Sequence, residues 1–79
     1  MSPTIFREGP YRFFFFSREE PRVHVHVAST EGEAKFWLSP GVELAENHGI
    51  PEREISKVAT IIRNHEQQLR DAWLRHFER

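Results

Sequence analysis

The hydrophobic pattern of this chain changes period once, near Ser39-Pro40, and that change limits the folds open to it. Before this point, apolar residues stand in short runs bounded by turn residues, which is typical of β-strands. After it, apolar residues recur at spacings of three and four, which is typical of helices. Strands that precede helices without alternating with them argue against a parallel βαβ design. The order therefore favours an α+β fold.

Four strands are predicted over residues 4–7, 11–16, 22–28 and 33–38, joined by short loops as an antiparallel meander. Gly9-Pro10 and Gly32 supply turn chemistry between them. The second strand carries phenylalanines at consecutive positions, so both of its faces are apolar. This pattern fits a central strand or a strand whose second face meets a partner.

A short helix is predicted directly after the strands. Ser39 suits its N-cap and Pro40 its first position, and the helix would run to about Asn47 or His48 with Gly49 past its end.

A second helix is predicted from Pro51 to near the end of the chain. About 27 residues would make a helix of roughly 40 Å, whereas a six-residue strand spans only about 20 Å. The helix would overhang the sheet, so its last turns, with Trp73 and Phe77, would wrap an edge or contact another chain. The predicted architecture is one domain, residues 1–79, in which a four-stranded antiparallel meander packs both helices on one face.

Composition narrows the function classes. The 79 residues have room for one core, and the absence of cysteine excludes disulfide frameworks and thiol catalysis. A net charge of −1, spread evenly over both halves, leaves no basic half to neutralise a nucleic-acid backbone. No leader-like or membrane-spanning run is present, so we expect a soluble cytoplasmic protein. Motifs of serine hydrolases, phosphate loops and dinucleotide folds are missing, and we expect no cofactor.

The third predicted strand carries two histidines at alternate positions. His24 and His26 share one face, about 6.5 Å apart between Cα atoms, while the intervening valines share the other. In the simplest register, the histidine face would also carry some of the cations and aromatics of neighbouring strands, drawn from Arg12, Phe14, Phe16, Lys35 and Trp37.

Several chemistries fit this face, and the sequence leaves them open. RNA bases could stack on Trp37 while Arg12 and Lys35 meet phosphates, and His24 and His26 could act as a general base and a general acid in RNA cleavage. The two histidines could instead supply part of a metal site, with His48, His65 or Glu33 as a third ligand. A simpler interpretation is that the histidines and aromatics form an interface with another protein, or are partly buried and hydrogen-bonded. Of all these, a surface that recognises another protein is the most economical, because histidine needs no catalytic role to lie beside tryptophan.

Several segments together resemble a known family of small prokaryotic proteins, the domain-of-unknown-function family 4160. The shared segments are Pro3-Thr4-Ile5, Tyr11 to Phe15, Pro21 ahead of His24-Val25-His26-Val27, Glu33 to Leu38, and Ala72-Trp73 with Phe77. By the usual gene setting of the family, the resemblance implies a neighbouring small protein of the domain-of-unknown-function family 2442. Such pairs are candidate toxin–antitoxin modules.

The sequence and the resemblance together predict a cytoplasmic protein-interaction module, one half of a two-protein, toxin–antitoxin-like system. An RNA-binding or RNA-cleaving toxin and a metal-binding domain are the alternatives, and homo-oligomers are left open. The candidate catalytic residues are His24 and His26, and the candidate binding residues are Arg12, Lys35, Trp37, Trp73 and Phe77.

Overall fold

The computed structural model describes residues 4–15 and 22–77, which form an α+β fold of five strands followed by two helices. The elements are β1 (Thr4–Glu8), β2 (Tyr11–Phe14), β3 (His24–Ala28), β4 (Glu33–Trp37), β5 (Glu43–His48), α1 (Glu52–Asn64) and α2 (Glu66–Phe77). The strands pair antiparallel in the order β1-β2-β3-β4-β5, so the predicted meander is present with one more strand than expected.

The fifth strand occupies the segment for which the short helix was predicted, and that prediction is wrong. Pro40 does not begin a helix, and its peptide bond with Ser39 is cis. Glutamate, leucine and alanine in residues 43–48 are good helix formers, but a helix this short closes too few hydrogen bonds to offset its nucleation. Pairing with β4 instead gives the segment a ladder of interstrand hydrogen bonds, from Trp37↔Glu43 to Glu33↔His48.

The predicted long helix is two helices that meet at His65. The backbone of His65 has φ −117° and ψ 19°, outside the helical region, and its ring Nδ1 donates to the carbonyl oxygen of Ile61 at 2.9 Å. The ring stacks on Phe6 of β1 with centroids 4.3 Å apart. The two helices are about 20 Å and 18 Å long, close to the span of a six-residue strand, whereas the single helix would have been roughly 40 Å long.

The hydrophobic core lies between one face of the sheet and the two helices. The predicted core valines, Val25 and Val27, are buried there with Phe13 of β2 and Phe36 of β4. The helices close this core with the side chains of Val58, Ile62, Leu69 and Trp73. The two parts of the predicted long helix therefore pack on one face of the sheet, where that helix was expected, and they leave the opposite face uncovered.

The start of α1 is fixed to the sheet by a polar contact at the rim of the core. The Tyr11 hydroxyl donates to Glu54 Oε1 at 2.8 Å, and Glu54 lies in the first turn of the helix. Burial raises the pKa of Tyr11, and the hydrogen bond to the Glu54 carboxylate and its charge raise it further. The phenol therefore keeps its proton and its role as a donor well into alkaline solution.

Candidate functional site

The face of the sheet opposite the helices, here called the open face, is built from cross-strand rows. The register aligns Thr4, Phe14, His26, Lys35 and Glu46 in one row, Arg7, Arg12, Ala28, Glu33 and His48 in a second, and His24, Trp37 and Glu43 in a third. Residues that stand opposite each other in neighbouring strands share a face. The grouping predicted from the alternation is therefore present, except that Phe16 lies outside the described residues.

Cations lie on the aromatic rings of the open face. The guanidinium carbon of Arg22 is 4.2 Å from the centre of the Trp37 ring, and the Lys35 Nζ is 4.6 Å from it. Arg12 lies over Phe14 in the same way, at 4.2 Å. Each such contact contributes about 0.5–1 kcal/mol at an exposed site. The rings thus hold the cationic groups in place, which gives the face a defined pattern of charge and apolar area.

Arg22 is a member of this face that the sequence analysis did not select. Its Nε donates to the carbonyl oxygen of Ser39 at 3.0 Å, and its Nη2 lies 3.9 Å from Glu43 Oε1. The sequence could have indicated Arg22, because it stands two residues before His24 and side chains two residues apart in a strand point to the same face. Arg22 links the entry into β3 with the start of β5 and positions the cation over Trp37.

The His24 ring is buried and is not exposed at the surface of the open face. Its exposed fraction is 0%, and its Nδ1 lies 2.6 Å from the carbonyl oxygen of Arg22, so this nitrogen carries the proton and donates. Its ring packs edge-on against Trp37 at 5.8 Å and against Trp73 at 5.0 Å between centroids. A general acid or base must come within hydrogen-bonding distance of the substrate, and a ring closed off by two indoles does not meet that condition in this conformation.

His26 lies nearer the solvent than His24. Its ring is half-buried, 5.1 Å from the His24 ring and 5.5 Å from the Phe14 ring, on which it stacks. Phe14 itself is 2% exposed although it faces away from the helices. The two histidines are neighbours as predicted, but they differ in access, and only His26 offers part of its ring to the surface.

Trp73 and Phe77, the two candidate binding residues from the C-terminal helix, belong to packing rather than to the open face. Trp73 is 6% exposed and lies edge-on to Phe15 at 5.3 Å. Phe77 packs on Trp73 with centroids 4.1 Å apart. Trp73 lies between Phe15 and His24, so the end of α2 covers one end of its own sheet.

The part of the chain that the structure describes contains no group of side chains placed to coordinate a metal ion. Over residues 4–15 and 22–77, no three histidine, aspartate or glutamate side chains lie close enough together to hold an ion. Of the third ligands considered for the histidine pair, Glu33 and His48 are opposite each other in a different row of the open face. His65 lies against Phe6 on the helix side of the sheet.

Charge is graded across the open face. Arg7 and Arg12 stand opposite each other in β1 and β2, while Glu43 and Glu46 lie at the other edge in β5. The pKa of Glu46 is lowered, first by its hydrogen bond with His48 (Nε2 to Oε1, 3.1 Å) and then by nearby positive charge, chiefly Lys35. Glu46 therefore remains ionised at neutral pH, and the β5 edge is acidic while the β1 edge is basic.

A comparison with family models gives one match: the family described as Domain of unknown function (DUF4160) matches residues 11–74. This span covers β2 to β5, α1 and most of α2. Comparison with curated proteins found no match, and comparison with solved structures found none. No helix within the described residues is long and apolar enough to cross a membrane.

Proposed function

The chain belongs to the family described as domain of unknown function (DUF4160), whose description assigns no chemistry, and we propose that it is a protein-interaction module that binds a partner through its open face. The observation that carries the proposal is the Trp37 ring with two cations held over it, on a sheet whose opposite face is already covered by helices. Tryptophan and arginine are the residues most enriched among those that dominate binding energy at protein interfaces.

The burial of His24 favours binding over catalysis. Its ring donates a hydrogen bond to the carbonyl oxygen of Arg22 and packs against Trp37 and Trp73. These contacts form a packed base that supports the exposed side chains of the open face. A rigid platform lowers the entropy lost when a partner binds, because its side chains are already ordered. His24 is in this proposal a residue that positions the open face.

The partner in this proposal is a small protein encoded beside this chain, of the domain-of-unknown-function family 2442. The pair would form one cytoplasmic two-protein system of the toxin–antitoxin kind in a prokaryotic cell. This part of the proposal rests on the usual gene setting of the family to which the chain belongs.

The test is to purify both proteins, mix them in equal amounts, and measure the mass of the eluted species by size-exclusion chromatography with light scattering. We expect a complex that contains both chains, and we expect Trp37→Ala to weaken it at least about tenfold, as loss of a central interface anchor does. Leu74→Ser is the matched control, because Leu74 is 54% exposed on α2, away from the open face. Separate elution of the two unmodified proteins at micromolar concentration would contradict the proposal.

RNA binding is a second candidate, favoured by one observation: Arg12, Arg22, Lys35 and Trp37 place cations and an aromatic ring on an open antiparallel sheet. Sheets of this kind bind single-stranded RNA in other folds. A fluorescent single-stranded RNA should then bind with an affinity that falls as salt rises, and Lys35→Ala should reduce the salt dependence. If the protein cleaves RNA, cleavage that survives undiminished in the combined His24→Ala and His26→Ala variant would exclude that pair as the catalytic residues.

A further inference from the structure

We propose a second docking site, formed by the outer edge of β5 and the groove between β5 and α1, for an extended segment of another protein in which basic and apolar side chains alternate. The inference deepens the proposed function, since it gives the interaction module a surface separate from the open face. It follows from three features of β5: its place at the edge of the sheet, the partly apolar groove beside it, and the charges it carries.

β5 is the last strand of the sheet and pairs with β4 on one side. Five of its six residues are exposed, and Ala45 is half-buried. An edge strand presents backbone N–H and C=O groups along its outer side, and an extended peptide can pair with them as an added strand. The backbone of β5 can therefore supply affinity that does not depend on the sequence of the peptide.

A groove of about 430 Å³ lies beside this edge, on the helix side of the sheet. Its apolar lining comes from Phe36, Val42 and Leu44 of the sheet region and from Ile55 and Ala59 of α1, and polar residues, among them Glu43 and Arg63, complete the lining. Leu44 is 42% exposed, so the helices leave the last strand partly uncovered. An apolar side chain projecting from an added strand toward the helices would enter this groove and cover Leu44.

The alternation of β5 determines which side chains the added strand should carry. Glu43 and Glu46 pair with Trp37 and Lys35 and so point to the open face, whereas Leu44 pairs with Phe36 and points to the groove. A register shift between Lys35 and Phe36 keeps both glutamates on the same side. Directly opposed side chains of neighbouring strands interact, so basic residues should alternate with apolar residues in the peptide.

A second copy of β5 is a poor occupant for the same reason. Antiparallel self-pairing would bring Glu43 and Glu46 of both copies to one edge, and like charges in opposition destabilise a strand pair. Acidic side chains on an edge strand are a known defence against such self-association. The acidic edge therefore selects for a different, basic segment.

The probes are capped, labelled hexapeptides, measured by fluorescence anisotropy with the full chain at low salt. A peptide of alternating lysine and valine should bind at least about tenfold more tightly than one of alternating glutamate and valine. The lysine–valine peptide with alternate backbone nitrogens methylated should also lose at least about tenfold, because methylation removes the donors that pair with β5. If the methylated peptide bound as tightly as the unmethylated one, binding would depend on charge attraction alone and not on strand pairing, which would overturn the proposal.

Variants test the position of the site. Leu44→Ser should weaken the lysine–valine peptide by about fivefold or more, since it removes an apolar wall of the groove. Leu74→Ser, at the other exposed leucine, should leave the affinity unchanged. The combined Glu43→Lys and Glu46→Lys variant should reverse the preference and favour the glutamate–valine peptide. Equal effects of the two leucine variants, or an unchanged preference in the charge-reversed variant, would place the peptide elsewhere.

Two further outcomes separate this inference from the proposed function. A complex with the neighbour-encoded protein that depends on Trp37, together with no binding of the lysine–valine peptide, would overturn the β5 site alone. Peptide binding without that complex would support the β5 site and contradict the proposed function.

Dimers of the chain alone that disappear in Leu44→Ser would make a second copy the occupant, which also overturns the proposal.

Discussion

Replacement of His24 by alanine tests whether this histidine holds the open face together. The ring has no exposed surface, packs against two tryptophans and donates one hydrogen bond to the carbonyl oxygen of Arg22. Truncation of a fully buried side chain of similar size costs about 2–5 kcal/mol. The hydrogen bond to the carbonyl oxygen of Arg22 is part-buried, and its loss contributes about 1 kcal/mol. We expect a loss near the middle of this range, about 3 kcal/mol.

A loss of about 3 kcal/mol corresponds to a change of roughly 160-fold in the unfolding equilibrium constant. For a domain of this size it lowers the melting temperature by about 12–24 °C. Urea unfolding followed by tryptophan fluorescence is the direct assay, because Trp37 and Trp73 both contact the His24 ring. Circular dichroism of the helices under the same conditions checks that the unfolding is a single transition.

Two variants serve as controls for His24→Ala. His26→Ala removes a half-buried ring and should cost about 1 kcal/mol, and His48→Ala removes an exposed ring and should change the stability by less than about 0.5 kcal/mol. If His24→Ala lay within about 1 kcal/mol of the unmodified protein, the assignment of His24 to packing would be refuted, because no fully buried ring of this size is removed so cheaply.

Two further substitutions test contacts outside the open face. Tyr11→Phe removes the donor to Glu54 and should cost about 1 kcal/mol near pH 8. Because the folded-state pKa of Tyr11 is raised, the stability that its hydroxyl contributes is complete below the unfolded-state pKa of about 10 and is lost as pH rises through the folded-state value. In urea titrations, the difference in stability between the variant and the unmodified protein should therefore shrink above pH 10. A difference that stays constant would contradict this. Gly49→Ala should cost about 1–3 kcal/mol, since Gly49 has φ +106° and a Cβ there would lie 2.8 Å from the carbonyl oxygen of Glu31. Melting temperatures of the variant and the unmodified protein that agree to within about 2 °C would be incompatible with that strain.

The meander and the content of the open face could be predicted from sequence because β-strand alternation is a local property. His24 and His26 alternate along one strand, and Lys35 and Trp37 alternate along the next. The two strands are joined by a short turn, which leaves little freedom of register. The predicted burial of the valines follows from the same alternation. The match of residues 11–74 confirms the family resemblance, which depended on short segments of the strands and of α2.

The fifth strand and the break between the helices could not be predicted because distant contacts decide them. Residues 43–48 have helix-forming composition, and pairing with β4 overrides it. Residue 65 is neither glycine nor proline, the residues that most often mark a helix break, and its conformation is accompanied by stacking on Phe6, about sixty residues earlier in the chain. The burial of His24 depends in turn on Trp73, which α2 brings to the end of the sheet after that break.

The indole N–H signals of the two tryptophans give the most direct test of the account. In nuclear magnetic resonance spectra of the 15N-labelled chain, Trp37 and Trp73 each give one such signal, which Trp37→Phe assigns. On addition of the neighbour-encoded protein, we expect the Trp37 signal to shift or broaden strongly, while Trp73, which is 6% exposed, changes little and serves as an internal control. An unchanged Trp37 signal with an equimolar partner, or shifts confined to the outer surfaces of α1 and α2, would contradict the claim that the open face is the binding surface.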